Sequence, residues 1–248
     1  MDGIIIVNKP KGWTSFDVVA KIRNLTRVKK VGHSGTLDPM ATGVLPVFLG
    51  KATKSIQYFL NGDKGYNGEM VLGVRTDTGD AEGKIQTSNL QPQNKLQIPI
   101  SKSQIEAIFT KYTGEIEQVP PMYSAVKIKG KKLYELARQG IEVKRQPRKI
   151  NIYELRLTQN ETPLATANRF MFSVLCSKGT YIRQLVMDIG DELGCGAHLC
   201  ALERFYAHPF HVSQALDMET IVTLAKADIL STVILSPEEI LDIKGQGG

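Results

Sequence analysis

The sequence predicts an α+β fold. Strand-like and helix-like runs are interspersed without the regular β-α-β beat of a doubly wound sheet. The chain has 248 residues, 42% hydrophobic and 23% charged, as expected of an ordinary soluble globular protein with one large domain or two small ones. No apolar run approaches the ~20 residues of a membrane span, and no internal repeat or low-complexity tract interrupts the chain.

The elements follow in order. "GIIIVNKPKG" reads as a buried strand closed by Pro10 and Gly12. Thr14 or Ser15 then caps a helix with Val18, Val19, Ile22 and Leu25 on its apolar face. "YNGEMVLGV", 66 to 74, is a strand, and "RTDTGDAEGK" after it is turn chemistry. Residues 86 to 100, polar with two prolines, read as a loop. "SKSQIEAIFTKYTG" predicts a helix with a capping box from Ser103 to Glu106, a face of Ile105, Ile108, Phe109 and Tyr112, and Gly114 as its stop. "KKLYELARQG" predicts a short helix ended by Gly140. "KINIYELRL" and "RFMFSVLC" are strands. "TYIRQLVMDIGDELG" is a helix with Ile182, Leu185, Val186, Ile189 and Leu193 on one side. "ERFYAHPF" reads as an edge strand because of Pro209, and helical turns follow from Asp217.

The N-terminus passes from "MDG" directly into "IIIV" without a basic leader, which argues against export. Cys176, Cys195 and Cys200 are odd in number and irregularly spaced, which suits a reducing cytosol. The expected location is cytoplasmic. The net charge is +6, unevenly spread. Residues 127 to 149 hold nine lysines and arginines against two glutamates, a net of +7, so the rest of the chain is close to neutral. A second, acid-free run, "KIRNLTRVKK" at 21 to 30, carries five basic residues. Such focused charge suits a polyanion, although a solvated surface segment would look the same.

The stretch "VGHSGTLDPMATGVLPVFLG", 31 to 50, contains one carboxylate, Asp38, and four glycines. The dipeptide Asp38–Pro39 suits a helix start, with Asp38 as the N-cap. Gly32 and Gly35 leave room for another molecule's backbone, and Pro39 restricts where Asp38 points, which suits a nucleophile or base. The two readings are compatible. Rival motifs fail. "GHSG" is not a G-x-S-x-G elbow, and "LPVFLGKAT" matches a P-loop only at its "GK". "CGAHLC" lacks zinc-site spacing, and no dinucleotide fingerprint occurs. Neither cofactor nor metal is expected.

"GHSGTLDPMATGVLP" closely resembles the catalytic motif of the TruB family, the pseudouridine synthases that act on the T-loop of tRNA. "IIIVNKPKGWTS", "DKGYNGEMVLGVRTDTGDAEG", "QVPPMYSAVKIKGKKLYELARQG" and "CSKGTYIRQLVMDIGDELGCGAHLCALER" resemble further blocks of that family, in its order, from residue 3 to about 210. The resemblance implies a pseudouridine synthase fold, with a mixed, mainly antiparallel sheet flanked by helices and a thumb-like, RNA-clasping insertion at about 120 to 150. It implies a catalytic domain over 1 to 210. Residues 211 to 248 are then a short helical extension, too short for the family's usual C-terminal RNA-binding domain, as in a short form or a truncation.

By the same resemblance Asp38 is the catalytic aspartate, Tyr66 stacks on the target base, and His33 helps extrude that base. Tyr181 contacts substrate, Arg183 pairs with Asp38, and Leu202 lines the substrate site. Lys9 and Pro10 fall on a structural motif flanking it. Lys129, Lys131, Lys132 and Arg148 in the basic segment are expected on the RNA backbone. The implied reaction isomerises a T-loop uridine (position 55) of tRNA, by base flipping and by cleaving and re-forming the glycosidic link. Attack by Asp38 on the base or on the sugar both fit. The expected partner is tRNA, with no membrane and no obligate protein partner, the chain being a monomer. Two alternatives remain: a tRNA-binding or folding chaperone with an idle aspartate, and a synthase acting on another RNA uridine.

Overall fold

The computed structural model describes residues 1–86, 100–128, 130–158 and 168–236, with 238, 239 and 242. Most of the 86–100 loop, the end of the tail and Lys129 therefore lie outside the described residues. The chain divides into two compact units. Unit 1 holds Met1–Tyr66 and Leu202–Gly248, and unit 2 holds Asn67–Ala201. Two strands, β4 (Lys64–Leu72) and β10 (Ala197–Ala207), each begin in one unit and end in the other. None of the three cysteines is in a disulfide. Among the described residues no helix is long and apolar enough to cross a membrane.

In unit 1, β1 (Gly3–Lys9) pairs antiparallel along β3 (Thr42–Leu49), and the short β2 (Val31–His33) pairs antiparallel with the far end of β3. The last part of β10 runs parallel to the start of β3, Glu203 beside Thr42, with the opening of β4 beyond it. The uninterrupted "IIIV" run has a simple cause, since β1 is buried on both faces. Ile5 and Val7 join Val18, Val19 and Ile22 of helix α1 (Ser15–Thr26) and Ile221 of a late helix on one side. Ile4 and Ile6 join Val44, Phe48, Phe59 and Phe210 on the other. Of the two caps that the sequence offered, Thr14 caps α1, in a reciprocal box with Asp17. A 3₁₀ turn (Gly50–Ser55) and the short α2 (Ile56–Leu60) follow β3.

Unit 2 builds an antiparallel set from β5 (Gly114–Gln118), β8 (Arg148–Leu157) and β9 (Arg169–Cys176), with the rest of β4 alongside β9 and the rest of β10 beyond β4. Helix α3 (Lys102–Lys111) packs here, Phe109 meeting Phe172 edge-on at 6.5 Å. The basic segment forms the two-residue strands β6 (Lys127–Ile128) and β7 (Lys131–Lys132) and the short helix α4 (Leu133–Ala137). Helix α5 (Ile182–Glu192) carries the apolar face read from its spacing. In unit 1, β11 (Phe210–His211) turns back on β10, and α6 (Met218–Lys226) is the first of the turns expected after Asp217. The fold is α+β with a mixed, mainly antiparallel sheet.

Three local expectations need correction. The box on α3 is Ser101 with Gln104, not Ser103 with Glu106, because Ser101 holds the extended backbone an N-cap requires, and Gly114 opens β5 instead of ending the helix. No helix starts at Asp38. The Asp38 carbonyl accepts from Ala41 N–H at 3.0 Å, a β-turn with Pro39 at its second position, and the β-branched run after it goes into β3. "ERFYAHPF" is not an edge. Glu203–Ala207 close the interior strand β10, and Pro209 lies in the turn beyond it, where no ladder N–H is lost.

Candidate active site

Unit 1 fixes the loop around Asp38 from both sides. Before it, Ser15 Oγ accepts from Leu37 N–H at 2.9 Å and donates to Leu37 C=O at 3.2 Å. After it, the Pro39 carbonyl accepts from Gly12 N–H at 2.8 Å and from Lys9 Nζ at 3.3 Å. Lys9 is fully buried and its ammonium also donates to the carbonyls of Pro10 and Trp13. A buried charge satisfied by main-chain carbonyls is a rigid anchor. Asp38, itself half-buried, thus sits on a backbone pinned one residue to either side.

Arg204, on β10, holds the same loop. Its guanidinium donates from Nε to Val44 C=O at 2.8 Å and from Nη2 to Gly35 C=O at 3.1 Å, and hydrogen-bonds the Tyr66 hydroxyl. Burial pushes the guanidinium below its ordinary value, and Tyr66 opposes that. Gly35 has φ +87°, and a Cβ there would stand 3.4 Å from Arg204 Nη1 and 3.9 Å from Lys64 Cε. Lys64 is buried too and donates to the Gly62 carbonyl. Two buried cations therefore stand against a loop whose sole acid is Asp38. His33 ends β2 next to that loop. Burial, then the charge of Arg204, hold its imidazole below the usual histidine value, while a backbone bond at Gly35 acts the other way. Its buried Nδ1 has no hydrogen-bond partner among the described residues. Leu202 is buried on β10, its carbonyl 3.5 Å from Thr42 Oγ1 at the start of β3. His33, Asp38, Tyr66 and Leu202 thus belong to one unit.

Tyr181 and Arg183 belong to unit 2. Tyr181 is the N-cap of α5, and the Gln118 side chain bridges its two main-chain groups, with Tyr181 N–H donating to Oε1 at 2.8 Å and Nε2 donating to Tyr181 C=O at 3.1 Å. Arg183 is buried and donates to the carbonyls of Thr78 and Tyr123, both at 2.8 Å, with Asp80 at 3.7 Å. Asp80 is itself buried, Oδ1 accepting from Thr78 Oγ1 and Glu82 N–H. The stretch read only as turn chemistry is thus a platform for Arg183.

In the basic segment Lys131 and Arg148 are exposed. Lys132 is the N-cap of α4, its Nζ 5.3 Å over the Tyr134 ring, with Arg138 5.5 Å from the same ring. Lys149 pairs with Glu115 at 2.8 Å and Arg145 with Glu142 at 3.3 Å. Of these two acids only Glu115 lies outside 127–149, so it alone answers part of that segment's charge excess.

Sequence reading missed Arg204, Lys64, Ser15, Gln118 and Asp80. Only Arg204 left a signal. It stands two residues from Leu202 on one strand, a position of the inward face where an arginine must find buried partners.

Comparison with known proteins identifies the family. Residues 23–182 match the model of the TruB family pseudouridylate synthase N-terminal domain, and 183–242 match the tRNA pseudouridylate synthase B C-terminal domain. The chain is 46% identical to tRNA pseudouridine synthase B of Geobacillus thermodenitrificans, over 97% of this chain and 78% of that protein. It is 48% identical to the protein of the same name from Geobacillus kaustophilus, over 96% and 82%. Among solved structures, a chain of a Cbf5-Nop10-Gar1 complex superposes with TM-score 0.73 at 30% identity, over 97% of this chain and 62% of that one. An H/ACA RNP bound to a substrate RNA containing 2'-deoxyuridine gives 0.70 at 26% identity, over 97% and 61%. The chain spans less than two thirds of both these structures' chains. Matched over most of its length by both family models and by these relatives, the chain belongs to the TruB family of pseudouridylate synthases.

Proposed function

We propose that this chain converts the uridine at position 55 in the T-loop of tRNA into pseudouridine, in the cytoplasm, with Asp38 as nucleophile. The observation that carries the role of Asp38 is its loop. A lone carboxylate is held by main-chain clamps at Leu37 and Pro39, in the unit that also holds Tyr66, His33 and Leu202. Preorganisation of that kind suits attack on one atom, whereas a binding surface has no use for a fixed anion beside phosphates. The relatives named tRNA pseudouridine synthase B support the choice of tRNA.

The reaction breaks the N1–C1′ bond, turns the base and joins C5 to C1′. C5 gives up a proton and N1 gains one, so nothing is oxidised and no cofactor is required. Extrusion of the base costs on the order of a few kcal/mol. His33, kept neutral by burial, fills the vacated space without bringing a charge, and Tyr66 stacks on the extruded base. Leu202 borders the base in unit 1, and Tyr181 and Arg183 of unit 2 take the substrate-binding roles that the family resemblance implies. Lys129, Lys131, Lys132 and Arg148 meet phosphates. The test is to incubate the protein with unmodified tRNA transcript and map pseudouridine. Asp38→Asn should lower the rate by more than the ~10²–10⁴ of a general acid or base and leave tRNA binding intact. Near wild-type turnover would reduce Asp38 to a turn residue.

A further inference from the structure

We propose that Lys29, Lys30, Lys51 and Lys54 form a second phosphate-binding surface, on unit 1 and remote from Asp38, which takes the backbone of the substrate RNA beyond the loop that is modified. The proposal rests on the RNA reading above. From Val18 to Gly62 the chain holds seven lysines and arginines and one acid, Asp38. The fold gathers four of these cations from two separate runs. Gly50 N–H donates to Lys30 C=O at 2.8 Å where β2 joins β3, so Lys29 and Lys30 stand beside the turn that begins at Gly50. That turn is 3₁₀, with three residues per repeat, so Lys51 and Lys54 project from one side. All four side chains are exposed, and among the described residues none is in an ion pair. The neighbouring carboxylate, Asp2, is engaged by the main-chain N–H of Lys51 at 2.8 Å.

Position decides the partner. The cluster stands at the Leu49 end of β3, and the Asp38 turn stands at the Thr42 end. Seven residue steps separate them, about 23 Å along one strand. An RNA held at Asp38 by an extruded base has its stem leading away from that point, with a phosphate row on each strand. Exposed ammoniums beside the far end of β3, in no ion pair among the described residues, match such a row at that reach, through contacts that carry no sequence information.

The experiment compares wild type with the quadruple variant Lys29→Gln, Lys30→Gln, Lys51→Gln, Lys54→Gln. Each is titrated with full-length tRNA transcript and with a short T-arm stem-loop across a salt series. For full-length tRNA the variant should bind at least tenfold more weakly. Its slope of log K against log salt should flatten by roughly 0.7–0.9 for each phosphate no longer engaged. Stem-loop binding and conversion should not change, and the four-arginine variant should bind as wild type does. An unchanged slope with full-length tRNA overturns the proposal. Equal losses on both RNAs also overturn it, since the lysines would then belong to the loop-binding site. Loss of binding to phosphatidylserine vesicles with an unchanged tRNA slope would replace RNA by a membrane surface. Failure of wild type to make pseudouridine in either RNA strikes the functional reading instead and is scored separately from the salt slopes.

Discussion

Arg204 is 1% exposed and ties together Gly35, Val44 and Tyr66. A buried guanidinium is expensive, so it persists where several acceptors depend on it. Arg204→Met should leave the Gly35 and Val44 carbonyls without this donor, at about 1–3 kcal/mol each, seen as a lower melting temperature. It should also raise the His33 pKa, because a positive neighbour is removed, and an NMR titration of the imidazole would show this. The linkage has a definite sign. His33 in the folded chain titrates below its ordinary value, near 6.5 when unfolded. Between those two values the unfolded chain binds more protons, so the His33 contribution to stability rises with pH through that window and levels off above about 6.5. In Arg204→Met the window should narrow. Arg183→Lys keeps the charge but has no planar fork for the carbonyls of Thr78 and Tyr123, so pseudouridine formation should fall at unchanged net charge. Equal activity of Lys and Arg would mean that the fork is not used. Asp38 and Tyr181 were legible in the sequence through their motifs. Arg204 and Gln118 were not, because the partners that give them meaning are remote in the chain and only pairing of strands brings them close.

At the scale of the elements, the catalytic loop is a product of its neighbours. Ser15 opens α1 and also closes two main-chain bonds of Leu37. Ser15→Ala should therefore cost more than loss of an ordinary exposed hydroxyl. We expect about 1–3 kcal/mol, with a fall in kcat at nearly constant KM, read from unfolding curves and steady-state kinetics. A stability loss with unchanged kcat would separate the clamp from the chemistry. Gly43 shows how closely β3 and β10 approach. Its φ is +100°, and a Cβ there would lie 2.2 Å from the Arg204 carbonyl oxygen, so Gly43→Ala should strongly destabilise unit 1. Helices α1, α3, α4 and α5 were readable from spacing, and so was β1, whereas α2 and the cap of α3 were not. The short strands β2, β5, β6 and β7 were not, since two to five residues carry too little periodicity. The cap reading of Asp38 failed because Asp–Pro serves a β-turn as well as a helix start, and the residues after it chose.

At the scale of the molecule, charge is the organising quantity. Residues 127–149 carry a net +7, partly answered by Glu115 from outside the segment. Neutralising Lys131, Lys132 and Arg148 with Lys129 should weaken tRNA binding and flatten its salt slope by roughly 0.7–0.9 per phosphate released from these side chains. Single-turnover rates at saturating enzyme should fall much less. An unchanged slope would leave the segment as a solvated face. Lys132 should contribute least, because the Tyr134 ring and hydroxyl already engage its ammonium. The sequence alone determined the α+β class, the family, the lone carboxylate and the lysine-rich segment, since composition, local periodicity and contiguous motifs lie along the chain. Tertiary structure alone decided that Ser15, Lys9 and Gly12 hold the Asp38 backbone, that Arg204 binds Gly35 and Tyr66, and that Lys30 meets the turn carrying Lys51 and Lys54. Each of those contacts joins residues far apart in sequence, and hydrogen bonds between such residues come into being only when strands pair and buried polar groups must find partners.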